Sequence, residues 1–316
     1  MYFLSLLLTI FTFVEFNCEN LFDCRDDSSA DDQEWLSEGA RKWTPDKYWR
    51  KLNRVGQTII SCGDTEQGWF LPDMVALCEV ENDSVLHDLT RRSLLRSARY
   101  EYLVTHSADP RGIDVALLYS PLSFSLLRSY SLRVHPENNR HPLRDVLYAA
   151  GLTVTGDTLH VFVLHAPSRR GGKAQTAAYR ERVAERVGQS VDSILHLQPS
   201  ANIVIAGDFN DYTGDNTLKR YLSRGLTDIS AGAKGRNGAK GTYKYRGRWG
   251  SLDHIFVSAS MMPLCYECFV HDPAFLLEQD EKYGHVMPFR TYNGYRYNNG
   301  FSDHLPLVAR FRLPEG

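Results

Sequence analysis

With 316 residues, 43% hydrophobic and 23% charged, the chain has an ordinary globular composition and can bury a large core in one large domain or two smaller ones. Its 36 Lys and Arg stand against 38 Asp and Glu, a formal net charge of -2. That balance excludes a global footprint for tight, sequence-independent nucleic-acid binding and leaves only a local basic patch open. The six cysteines, Cys18, Cys24, Cys62, Cys78, Cys265 and Cys268, are too dispersed for a disulfide framework or a four-ligand zinc site. The lone Cys265-Tyr-Glu-Cys268 motif reads as structural.

Residues 4–14 are apolar enough to resemble a signal-peptide core, but no Lys or Arg precedes them and no small-residue cleavage site follows. The run is too short to span a membrane as a helix. It continues into Val14-Glu15-Phe16-Asn17, so cleavage there would remove a core strand. A cytoplasmic chain is the expectation, with residues 1–10 signal-like or disordered; export is the alternative if the true start lies upstream. A monomer without stable membrane insertion is expected.

In chain order, residues 11–16 predict a strand ending at Asn17, and the acidic, aperiodic residues 23–32 predict a loop. Thr44-Pro45 supplies an N-cap and a first-turn proline, after which Tyr48, Leu52, Val55 and Ile59 recur at helical spacing until Gly63. Residues 74–78 read as a buried strand running into Glu79-Val80-Glu81-Asn82, where Glu81 and Asn82 cap a helix predicted over 84–97. Strands at 100–105 and 113–119 flank a polar turn, and Arg111 and Asp114 predict a salt bridge at its exit. Residues 146–154 and 159–164 form a hairpin around Gly156-Asp157 that leads into His165-Ala166-Pro167-Ser168-Arg169-Arg170.

A helix over 173–197 carries Val183, Val187, Val191 and Ile194 on one face. Residues 203–206 have the length and β-branched content of a buried strand, which stops at Gly207 before Asp208-Phe209-Asn210-Asp211. A glycine- and lysine-rich loop, 232–241, precedes Tyr243-Lys244-Tyr245. Ser251-Leu252-Asp253-His254 leads into a strand at 255–257. An aromatic, asparagine-rich segment, 283–299, runs to Ser302-Asp303-His304 and a last strand at 307–311. Repeats, linkers and composition breaks are absent from the sequence. Strands predominating in both halves, with few but long helices, predict two packed sheets with helices outside, in a single domain over 1–316.

Asn17, Glu79, His165, Asp208 with Asn210, Asp253 and Asp303-His304 share one property: each lies at the mouth of an apolar strand. Packed sheets can gather such ends on one rim. Carboxylates crowded there repel one another, and a divalent cation relieves the repulsion. Hard oxygen ligands with little sulfur point to Mg2+ or Mn2+ and away from zinc. A metal, an acid that orients water and two histidines are what hydrolysis of a phosphate ester requires.

Asn17-Cys-Glu-Asn, Pro72-Asp-Met-Val-Ala-Leu-Cys-Glu79, Gly207-Asp-Phe-Asn210, Ser251-Leu-Asp-His254 and Ser302-Asp-His304 resemble, in order, the motifs of the endonuclease/exonuclease/phosphatase superfamily. The resemblance implies an α/β (α+β) four-layer sandwich, two mostly antiparallel sheets between helices. It also implies roles. Glu79 would be the main metal ligand with Asn17 and Asp303 beside it; Asp208 would orient or deprotonate the attacking water. Asn210 would hold the phosphate or the nucleophile, Asp253 would orient His304 and keep it charged, and His165 would contact phosphate. Apart from the resemblance, Arg169 and Arg170 read either as a grip on substrate phosphate or, equally, as a solvated basic loop, while His254 reads as a packing residue.

The leading expectation is a Mg2+-dependent phosphoesterase, a nuclease or phosphodiesterase whose Tyr243–Tyr245 segment and tyrosine-rich residues 292–297 stack bases. The neutral charge favours the alternative, a phosphomonoesterase acting on a small-molecule, inositol or lipid-headgroup phosphate. A reading of another class is a binding scaffold without chemistry.

Overall fold

The computed structural model describes residues 9–65, 68–135 and 143–314, so the signal-like reading of residues 4–14 falls partly outside the described residues. In chain order the principal strands are β1 (Thr9–Leu21), β2 (Met74–Val80), β3 (Glu101–Val104), β4 (Asp114–Tyr119), β5 (Phe124–Leu132) and β6 (Val146–Thr153). They continue with β7 (Thr158–His165), β8 (Asn202–Asp208), β9 (Thr227–Asp228), β10 (Asp253–Val257), β11 (Cys265–Val270) and β12 (Leu307–Leu313). The helices are α1 (Pro45–Ser61), α2 (Asp83–His87), α3 (Lys173–Leu197) and α4 (Asn216–Leu222).

Two six-stranded sheets result, in the orders β11-β12-β1-β2-β4-β3 and β9-β10-β8-β7-β6-β5. Each sheet has one parallel pair at its centre, β1 with β2 and β7 with β8, and its other pairings are antiparallel. This topology builds the site. Parallel strands finish at the same end of a sheet, and an antiparallel neighbour begins where they finish. The ends of β7 and β8 therefore meet the start of β10: Asp208 is in register with both His165 and Asp253.

Side-chain alternation sorts the layers. Phe11, Phe13, Met74 and Ala76 face Val161, Val163, Val204 and Ala206 in a core between the sheets. The opposite faces pack outward, Val14, Phe16, Val75 and Leu77 against Leu52, Val55 and Ile59 of α1. Phe162, Ile203 and Ile205 likewise meet Val183, Val187 and Val191 of α3. The four-layer sandwich is thus the observed architecture. Among the described residues, no helix is long and apolar enough to cross a membrane.

Several local expectations need correction. Asn17 does not end its strand; β1 runs on to Leu21, irregular in register after Asn17, with Glu19 and Asn20 in left-handed backbone at φ 52° and 56°. Gly207 is not a stop either. A Cβ there would lie 1.8 Å from the Leu164 carbonyl oxygen, so its missing side chain lets β8 approach β7 and continue to Asp208. Thr44 occupies the N-cap of α1 without a side-chain capping bond. The helix expected over 84–97 breaks into α2, a wide turn at Asp88–Arg92 and a tight turn at Leu94–Ala98. Ser93 Oγ accepts from Leu95 N and Asn53 Oδ1 accepts from Leu94 N, giving this backbone partners outside a continuous helix.

Candidate active site

His304 Nδ1 lies 2.7 Å from Asp253 Oδ2, a buried pair to which Thr242 Oγ1 adds a donor on the same oxygen. Burial alone would strip the imidazole of its proton. Asp253, with Asp303 and Asp208 behind it, overcomes that penalty and raises the pKa well above the ordinary histidine value. The Tyr243 ring packs on the imidazole, centroids 4.8 Å apart, and the Ser302 hydroxyl accepts from His304 N at 3.1 Å.

Asp208 faces this pair. Its Oδ1 accepts from Asn210 N at 2.8 Å, and its Oδ2 accepts from Asn17 Nδ2 at 3.2 Å. Asn210 is in left-handed backbone at φ 51°, a conformation asparagine tolerates better than most residues. Its Nδ2 donates to the Ala166 carbonyl at 3.0 Å. Burial first, then the neighbouring Asp253, pushes the Asp208 carboxyl up to about 7.

His165 carries the opposite perturbation from His304. Desolvation, assisted by Arg144 and Arg111, drives its pKa well below the ordinary value, so this imidazole is neutral. Its Nε2 stands 3.5 Å from Asp208 Oδ2 and 3.9 Å from Glu79 Oε1. Glu79 is itself in left-handed backbone, φ 62°, and its Oε2 accepts from Asn20 N at 2.9 Å. Strained backbone of this kind costs on the order of 1–3 kcal/mol and concentrates at functional sites.

Asn17, Glu79, His165, Asp208, Asn210, Asp253, Asp303 and His304 therefore converge. Arg169 and Arg170 do not join them. Arg169 lies 3.4 Å from Asp215 and its guanidinium covers the Tyr212 ring at 4.7 Å, while Arg170 is exposed. Arg111 and Asp114 form no salt bridge with each other. Asp114 accepts from Thr105 and Ser107, whereas Arg111 reaches Asn20 Oδ1 and comes within 4.0 Å of Glu79. Asn82 caps α2 as expected, and His254 is a packing residue bonded to Asp228 and the Asp211 carbonyl.

Other contributors gave little sequence signal. Arg144 donates to the His165 and Ala166 carbonyls and pairs with Asp109, fixing the backbone that carries His165. Lys51 donates to Thr291 Oγ1 and the Phe301 carbonyl, and Glu19 accepts from Thr291 N and Tyr292 N. Together they clamp the segment leading to Ser302-Asp303-His304. Glu15 is wholly buried, and neither carboxylate oxygen has a hydrogen-bond partner among the described residues. Burial, then Asp253 and Asp208, raise its pKa well above the ordinary value.

Ligand atoms of Asp208, Asp253 and His304 lie within 4.8 Å of one another, a spacing compatible with a metal ion. Asp253 and His304 already neutralise each other, however. The remaining oxygen donors are Glu79, Asp208 and Asp303 with the Asn17 amide, a set suited to a hard divalent cation.

Two histidines with opposite pKa shifts and a group of carboxylates gather at the ends of two parallel strand pairs, a set of groups able to act on an anionic ester. Residues 12–312 match the model of the endonuclease/exonuclease/phosphatase family; the chain belongs to that family and is, like its members, a phosphoester hydrolase. The family generally uses a divalent metal. No protein among the curated ones matches this sequence. Among solved structures, an endonuclease/exonuclease/phosphatase family protein of Bacteroides thetaiotaomicron is similar at TM-score 0.63 and 18% identity, over 96% of this chain and 98% of that one. A mannosyl-6-phosphatase of the same organism gives TM-score 0.62 and 18% identity over 95% and 98%. Truncated TDP2 of Caenorhabditis elegans gives 0.58 and 16% over 96% and 98%. At such identities the likeness concerns the fold.

Proposed function

We propose that the chain is a Mg2+-dependent phosphoesterase that hydrolyses phosphodiester bonds by direct attack of water, without a covalent intermediate. The observation that carries this reading is the buried Asp253–His304 pair, 2.7 Å apart, set beside Asp208. Asn17, Glu79 and Asp303 would hold Mg2+ or Mn2+, which when bound supplies positive charge to phosphate oxygens. Asp208, once deprotonated, orients the water and accepts its proton. His304, whose proton Asp253 holds, presents positive charge to the phosphate as negative charge builds in the transition state. Asn210 has one amide hydrogen committed to Ala166, leaving the other for the phosphate or the nucleophile. His165 contributes a neutral hydrogen-bonding group.

A second reading, a phosphomonoesterase on a compact substrate, is favoured by the surface. Tyr243 packs on His304 and Tyr292 is buried, which leaves the exposed Tyr245 and Tyr295 to stack a base, and Arg169 is held by Asp215.

Both readings are tested with bis(4-nitrophenyl) phosphate and 4-nitrophenyl phosphate after EDTA treatment, with and without added Mg2+. Mg2+-restored hydrolysis, faster on the diester, is expected. Faster monoester hydrolysis supports the second reading, and no hydrolysis of either at any Mg2+ concentration rejects both.

A further inference from the structure

Beside the site, a cavity of about 390 Å³ opens between the hairpin of Tyr243–Tyr245 with Arg248–Gly250 and the segment from Leu277 to Arg296. Its cations are unequal. Lys244 is committed, its Nζ 2.8 Å from Asp280 and bonded to the Gly284 and Val286 carbonyls. Arg246, Lys282 and Arg296 are exposed and, among the described residues, have no ion pair. Of the nearby acids, Glu278 is bonded to Asn298, and Glu281 is exposed.

Arg290 is the unusual member. It is only partly accessible, yet its guanidinium has no hydrogen bond and no ion pair among the described residues, and its Nε is fully buried without a partner. Leaving the buried Nε donor unmatched is costly unless something accepts from it. Burial opposes its charge, but the neighbouring Asp303 and Glu19 outweigh that. Asp303 precedes His304 in the chain, and nearby Tyr243 packs on that imidazole. Arg290 thus stands between the cavity and the catalytic rim, its fork of donors suited to a phosphate or carboxylate.

We infer that this cavity is a substrate subsite that binds a second anionic group, a phosphate or carboxylate carried on the same molecule as the scissile phosphate, with Arg290 as its principal ligand. The inference rests on the phosphoesterase reading for which phosphate is cleaved, and on Arg290 alone for where the second anion sits. Arg246, Lys282 and Arg296 lend attraction at the mouth. The second anion can belong to a small bisphosphate or to the next phosphate of an oligonucleotide; the chemistry is the same.

The test compares fructose 6-phosphate with fructose 1,6-bisphosphate, and the dinucleotide TpT with 5′-phosphorylated pTpT, at saturating Mg2+. In the wild type, at least one doubly anionic substrate should exceed its partner in kcat/KM by about ten- to a hundredfold. Arg290→Gln should erase that margin through KM, the two kcat/KM values of each pair converging to within about twofold. Arg296→Gln, on an exposed residue that folding does not need, should reduce the margin by a smaller factor. No margin in the wild type, or a margin untouched by both variants, overturns the subsite. Calorimetric titration with fructose 1,6-bisphosphate and pTpT in EDTA separates the two claims. Tighter binding to wild type than to Arg290→Gln, in a protein that cleaves no ester, would keep the subsite and discard the phosphoesterase reading. Equal binding of both compounds by the two proteins would discard the subsite.

Discussion

Asp253 and His304, 51 positions apart in sequence, meet at 2.7 Å because β10 begins where the segment before β12 crosses the ends of β7 and β8. The contact sets the charge of the imidazole. Replacing Asp253 with Asn removes the partner that holds the proton, so the variant's imidazole titrates nearer its ordinary value of 6.5. Wild-type activity should persist into alkaline pH, whereas the alkaline limb of Asp253→Asn should move to lower pH. Its kcat/KM at pH 8 should fall by about 10²–10⁴. A pH–rate profile with the same alkaline limb in both proteins would remove Asp253 from this role.

Asp208 sets the acid limb. Its carboxyl is pushed up to about 7 by burial and Asp253, and only the deprotonated form can take a proton from water. The kcat/KM profile should therefore decline about tenfold per pH unit below a midpoint at or under pH 7, with bound cation moving the midpoint down. Asp208→Asn should remove nearly all activity at every pH. Appreciable activity in that variant, with the same acid limb, would contradict the assignment.

Glu15 makes a stability prediction. A carboxyl whose folded pKa is raised keeps its proton in the fold after the unfolded chain has released it. Stability therefore falls as pH climbs from the unfolded value, 4.5, toward the folded one. Glu15→Gln does not titrate, so it should match the wild type near pH 4 and gain on it by about 1.4 kcal/mol per pH unit above 4.5, until the folded carboxyl also ionises. Urea denaturation between pH 4 and 8 reads the difference. A constant difference across that range would place the charge of Glu15 elsewhere.

Arg180 and Asp211 form a buried ion pair at 2.8 Å, with side-chain exposures of 0% and 2%. Asp211 follows the catalytic strand but serves the fold: it ties α3 to the loop after β8. Arg180→Met strands a buried carboxylate and should cost about 3–5 kcal/mol, while Arg180→Met with Asp211→Leu should recover most of that. Denaturant midpoints of the two variants check this; equal losses in both would show that the pair itself stabilises the fold.

Much of this organisation was legible in the sequence because buried strands announce themselves as short apolar runs, and polar residues stand out where such runs end. Asp208, Asp253 and His304 were visible for that reason. β5 was not read, because residues such as Ser125 and Arg128 on this edge strand are largely outside the core and leave no apolar run. Glu15 was readable in principle: it shares the parity of Phe11 and Phe13 along β1, which points it into the core between the sheets. Arg290 and Lys51 could not be identified from spacing. Their importance arises from Asp303, Glu19 and Thr291, brought near them by tertiary packing alone.

The most direct test of the account is the rate of bis(4-nitrophenyl) phosphate hydrolysis with saturating Mg2+ for wild type and His304→Ala, with circular dichroism to verify folding. The geometry predicts a loss of at least about 10²-fold in kcat for a variant that remains folded. Equal rates for the two folded proteins would contradict it.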